Sequence, residues 1–180
     1  LQQPLDSVYL VATSAMDLFV SLDALDAISL SGTSAENWYV PEARAAMEAG
    51  EILYAGKYNA PDYERIFAAG CDMAVESTMI YHAPEVKEQL ERLGIPVFVE
   101  RSSYESSPLG RMEWLKLYGV LLGKLEAAEA AFGQAMADLA PGGGPGGPRA
   151  TRGGLVRTNP RPGPRAPAGG GGGPGGGGGG

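Results

Sequence analysis

The chain has 180 residues, of which 21 are acidic and 14 basic, with one cysteine and one histidine. Positions 141–180 hold 19 Gly, 8 Pro and five Arg with no acid, a composition that cannot bury a core, so residues 1–140 keep nine basic groups against 21 acidic ones, about −12. That balance argues against a nucleic-acid partner; Cys71 alone excludes an internal disulfide and a cysteine-based zinc site, and no apolar run is long enough to span a membrane.

In chain order, Val8-Tyr9-Leu10-Val11 is a short apolar strand, followed by Thr13-Ser14 as a capped turn and a helix over 15–25 with Met16, Phe19, Val20 and Leu25 at helical spacing. Ala27 to Leu30 predicts a second strand, and Ser31-Gly32-Thr33-Ser34 a loop. Three later segments share one grammar: a helix opens near proline, ends at glycine, and a strand begins within two residues. Pro41 to Gly50 precedes Ile52-Leu53-Tyr54, Pro61 to Gly70 precedes Met73-Ala74-Val75, and Pro84 to Gly94 precedes Ile95 to Val99. Such alternation predicts a mostly parallel sheet covered by helices, with right-handed crossovers. From Pro108, apolar residues at three- and four-residue steps through Trp114, Leu121, Phe132 and Met136 predict one helix of about 30 residues, roughly 43 Å long. Gly119, Gly123 and Gly133 weaken it by about 1 kcal/mol each.

In open parallel sheets, ligands sit beyond the carboxyl ends of the strands. The segments leaving those ends carry Thr13-Ser14, Ser31-Gly32-Thr33, Gly56-Lys57-Tyr58, Glu76-Ser77-Thr78 and Glu100 to Glu105. No dinucleotide fingerprint, phosphate loop, nucleophile elbow or pair of metal histidines occurs. His82, the single histidine, lies just before a helix start and reads as a loop or cap residue, so no catalytic residue, metal or cofactor is assigned. Arg101 beside Ser102, Ser103 and Tyr104 suits carboxylate, phosphate or catecholate oxygens, with an ion pair to Glu100 or Glu105 as the competing role. Trp38, Tyr39, Tyr54, Tyr58 and Tyr104 supply rings able to stack on a flat or macrocyclic ligand, or to lid the sheet edge. Cys71 reads as a small buried hydrophobe.

The ordered set of strand, Thr13-Ser14, helix, Ala55-Gly56-Lys57-Tyr58, Tyr63-Glu64-Arg65-Ile66, Glu76-Ser77-Thr78, Ile95-Pro96-Val97-Phe98 and Pro108 to Lys116 resembles the periplasmic binding proteins for siderophores, haem and cobalamin. The resemblance covers about residues 5–138. It implies an α/β class, with a three-layer Rossmann-like lobe over 1–107 and a long interdomain helix over 108–138, whereas the Gly/Pro/Arg composition predicts a disordered tail over 139–180. It further implies a ferric siderophore, haem or cobalamin-like ligand, with Tyr58, Glu76, Arg101, Ser103, Tyr104 and Trp38 as pocket candidates. Glu64 is the candidate for docking on an ABC permease. A monomer exported to the periplasm or anchored by lipid on the extracellular face follows, its leader already removed. A second lobe belongs after the long helix, where the chain turns to Gly/Pro/Arg sequence instead. The expectation is therefore a truncated reading frame with a non-native tail, and a small α/β enzyme using the same loops is the alternative.

Overall fold

The computed structural model describes residues 3–139, and the side chains of 3–137; the expected tail lies outside them but for Leu139. The elements are β1 (Val8–Leu10), α1 (Met16–Ser21), β2 (Ile28–Ser31), α2 (Pro41–Glu48), β3 (Leu53–Tyr54), β4 (Gly56–Lys57), β5 (Ala60–Pro61), α3 (Tyr63–Ala68), β6 (Met73–Glu76), α4 (Pro84–Arg92), β7 (Val97–Val99), α5 (Pro108–Leu121) and α6 (Leu125–Leu139).

Five strands form a parallel sheet in the order β3-β2-β1-β6-β7. The chain starts in the middle at β1, winds outward through β2 to β3, then returns to the other side of β1 through β6 to β7. The order reverses between β1 and β6, which is where open α/β sheets hold ligands. Alternate strand residues feed two cores, because side chains on a strand point to opposite faces. Val8, Leu10, Met73 and Val75 pack with Phe19 of α1, Ala43 and Ala46 of α2, and Leu115 and Tyr118 of α5. Tyr9, Leu30 and Ala74 pack on the other face with Ile66 of α3 and Val86 and Leu90 of α4. This is the expected α/β arrangement, with helix layers on both faces of the sheet.

The grammar of proline openings and glycine stops holds at α2 and α4, and the residues closing α2, α3 and α4 (Gly50, Gly70 and Gly94) take φ of 80°, 63° and 83°. Pro61 is the exception. It belongs to the antiparallel hairpin β4–β5, paired with Gly56, and α3 is capped by Asp62, whose carboxylate accepts the Arg65 amide at 3.0 Å.

The continuous helix expected over 108–138 is two helices, of which α6 is the longer. They are separated at Leu122-Gly123-Lys124, where Gly123 takes a φ of 68° that a side chain would strain. The chain reverses there and α6 runs back along α5. A Cβ on Gly119 would stand 2.5 Å from that of Ala128, and the Lys116 ammonium lies 3.6 Å from the centre of the Phe132 ring. Close backbone approach at Gly119 and left-handed backbone at Gly123 together outweigh the uninterrupted apolar spacing. Among the described residues no helix is long and apolar enough to cross a membrane.

Candidate functional site

All five strands deliver their exit segments to one edge. The hairpin β4–β5 follows β3 directly and turns at Tyr58-Asn59, presenting Lys57 and Tyr58. It is anchored from below, since the buried Tyr9 hydroxyl donates to the Gly56 carbonyl at 2.7 Å. A Cβ at Gly56 would fall 2.3 Å from the Ala60 carbonyl oxygen, so the tight hairpin needs glycine there.

Between this hairpin and the β1–β6 reversal lies a groove of about 350 Å³, within the size range of small-molecule sites. Thr33, Ser34, Tyr54, Lys57, Tyr58 and Ser77 line it, over Val11. Its walls combine hydroxyls, two phenols and one ammonium that makes no ion pair among the described residues. Beside it the β7 exit forms a compact turn over Ser102–Tyr104. Tyr104 shares a hydrogen bond with Thr78 at 2.6 Å, next in sequence to the groove residue Ser77, and Arg101 lies over the Tyr104 ring at 5.9 Å. Arg101 is exposed and has no carboxylate partner among the described residues, so neither Glu100 nor Glu105 neutralises it. Glu105 instead accepts the Trp114 indole N–H at 3.1 Å.

The structure thus brings Tyr58 into the groove and gathers Arg101, Ser103 and Tyr104, all exposed, on the neighbouring turn. Two other candidates face inward. Trp38 is 1 % exposed and packs in the core, its indole N–H donating to Ser31 at 3.1 Å, so it braces the β2 exit from beneath and offers no face for stacking. Glu76 is fully buried, and neither carboxyl oxygen has a hydrogen-bond partner among the described residues. Burial pushes its pKa up to about 8, keeping the group protonated at neutral pH. Glu64 is exposed in the first turn of α3. It makes no ion pair among the described residues, and its neighbour Arg65 is turned toward Asp62 at 3.5 Å and the Tyr54 carbonyl at 3.0 Å. His82 is exposed and bonded to no carboxylate or nucleophile among the described residues, where no cluster of acids, histidine and cysteine could hold a metal.

Lys57, Thr33 and Ser34 are groove residues that the sequence left unassigned, although each lies on a segment marked as a strand exit or loop; Tyr54, expected among the stacking rings, also lines the groove. Glu100 is also newly defined. It is 2 % exposed, accepts the Ser102 amide at 2.6 Å and receives the Ser14 hydroxyl on its other oxygen.

No protein-family model and no curated protein sequence matches the chain. Among solved structures it is similar to the molybdate periplasmic binding protein of Haemophilus influenzae, with TM-score 0.60, 16 % identity, and coverage of 76 % of this chain and 47 % of that one. A periplasmic heme binding protein from Pseudomonas aeruginosa gives TM-score 0.54 and 21 % identity, over 74 % and 43 % of the two chains. An ABC-type Fe3+-hydroxamate transport system protein from Saccharomonospora viridis gives 0.53 and 20 %, over 74 % and 48 %. At these identities the likeness establishes fold. The chain spans less than half the length of these solved structures, and its fold is that of one lobe of an ABC-transporter substrate-binding protein.

Proposed function

We propose that the chain is a ligand-capturing lobe of an exported solute-binding protein that supplies an ABC importer with a ferric siderophore, haem or cobalamin-like ligand. The observation that carries this reading is the groove at the β1–β6 reversal, with its two tyrosines, Lys57 and hydroxyls, flanked by the Arg101–Tyr104 turn. Two unneutralised cations at that edge of an acidic chain favour a ligand with anionic oxygens, and the rings Tyr54, Tyr58 and Tyr104 provide apolar faces beside them. Tyr58, Arg101, Ser103 and Tyr104 are the proposed ligand contacts. Capture and release by such a lobe require no bond-breaking chemistry, so no catalytic role is assigned.

Delivery needs a permease contact, and Glu64 is the proposed docking residue: an exposed carboxylate without an ion pair attracts a basic partner surface. Export with a lipid anchor outside the cell completes the proposal.

Isothermal titration of the chain with ferric siderophores of the hydroxamate, catecholate and carboxylate classes, haem, cobalamin and molybdate tests the binding step. Saturable heat with at least one iron chelate, weakened on changing Arg101 to Ala, is the expected result. Silence across the panel, or binding indifferent to both Arg101 and Tyr58, contradicts it.

A further inference from the structure

Glu100 and Ser14 belong to segments leaving strands that do not touch. Strand β7 is separated from β1 by β6, yet the Glu100 carboxyl receives the Ser14 hydroxyl across the end of β6. Its other oxygen accepts the amide of Ser102, the first residue of the turn that carries Ser103 and Tyr104. The backbone amide of Glu100 itself donates to the Glu76 carbonyl at 2.8 Å, so three neighbouring strand ends meet at one residue. An acid at 2 % exposure is otherwise costly, and these partners account for its retention there.

We propose that Glu100 is a positioning residue: its buried carboxyl fastens the β7 exit to the β1 exit, bridging the crevice at the sheet reversal, and so fixes where Arg101 and Tyr104 stand. The outer end of the same turn is held by the Tyr104–Thr78 hydrogen bond. Between these two ties Arg101 retains an exposed guanidinium, its aim set by the turn instead of by a carboxylate neighbour. The importance of this clasp for capture rests on the ligand-binding reading above; the clasp itself does not.

Limited trypsin digestion separates the two claims, because Arg101 is itself a trypsin site at the hinge of the clasp, while Arg92 at the end of α4 serves as an internal control. In Glu100→Ala, cleavage after Arg101 is expected to rise at least fivefold with cleavage after Arg92 unchanged. Glu100→Gln restores the wild-type rate, since its amide can accept from Ser102 and donate to Ser14. Ser14→Ala, which removes one arm at a half-buried position, gives an intermediate rise and decides the matter if Glu100→Ala unfolds and both sites accelerate together. Wild-type cleavage after Arg101 in Ser14→Ala and Glu100→Ala, or a Gln variant cut as fast as the Ala variant, overturns the proposal. Titration of the same variants with ferric citrate, an anionic chelate, reads the functional consequence. A tenfold loss of affinity in Glu100→Ala with rescue in Glu100→Gln supports positioning, and equal affinity in all three contradicts it. If the wild-type chain binds no member of the panel, the ligand-binding reading fails and the digestion alone judges the clasp.

Discussion

The ends of β6 and β7 lie side by side and each closes on a glutamate withdrawn from solvent, yet the two are opposites. At β7, Glu100 has a donor on each oxygen; at β6, Glu76 has none on either. The Tyr9 phenol, which senses the Glu76 carboxyl, offers no relief, since its hydroxyl is committed to Gly56. A buried carboxyl therefore does two different jobs one strand apart: where donors converge it joins loops, and where they do not it holds a proton.

The difference breaks most visibly with pH. Because the folded state raises the Glu76 pKa to about 8, the folded chain binds a proton that the unfolded chain releases near the usual carboxylate range. The stabilising contribution is thus complete below about pH 4.5 and is lost as pH rises through about 8. At ~1.4 kcal/mol per pH unit, this group removes roughly 4 kcal/mol of stability between pH 5 and 9. Chemical denaturation at both pH values measures the loss, and Glu76→Gln is expected to flatten that part of the profile. A wild-type stability that rises over this range contradicts the assignment.

Removing the partnered carboxylate has a somewhat smaller effect that does not require alkaline pH. Glu100→Leu leaves the buried Ser102 amide without an acceptor and is expected to cost about 3 kcal/mol at neutral pH, read as a lowered denaturation midpoint. Glu64→Gln completes the series as an exposed, unpartnered carboxylate. Its melting temperature is expected to match the wild type, because no contact within the lobe is lost; a clear drop would tie Glu64 to the fold instead of to a partner.

The contrast also explains what could be read from sequence. Left-handed closures require glycine, so Gly50, Gly70 and Gly94 marked three helix ends and thereby the parallel alternation. Pro61 misled because proline suits a hairpin edge as well as a helix start. The reversal at Gly123 was masked because Leu121, Leu122 and Leu125 keep helical spacing through the turn, and the close approach at Gly119 depends on a residue nine positions later. Strand-exit loops were legible from their polar, aromatic composition, which placed Tyr58, Arg101, Ser103 and Tyr104 at the carboxyl edge of the sheet, where the structure has them. Side-chain direction was not. Trp38 in a loop and Glu76 at a strand end look available by type, and only packing shows that one braces Ser31 from the core and the other is withdrawn from solvent.

Ligand is proposed to meet the carboxyl edge of the sheet at the groove and the neighbouring turn. Hydrogen–deuterium exchange of the chain with and without a ferric siderophore that gives saturable heat tests this most directly. Protection confined to segments 32–37, 54–58, 77–79 and 101–104 is the predicted result. Protection centred on the opposite edge, at residues 49–52 and 93–96, with those segments unchanged, would contradict it.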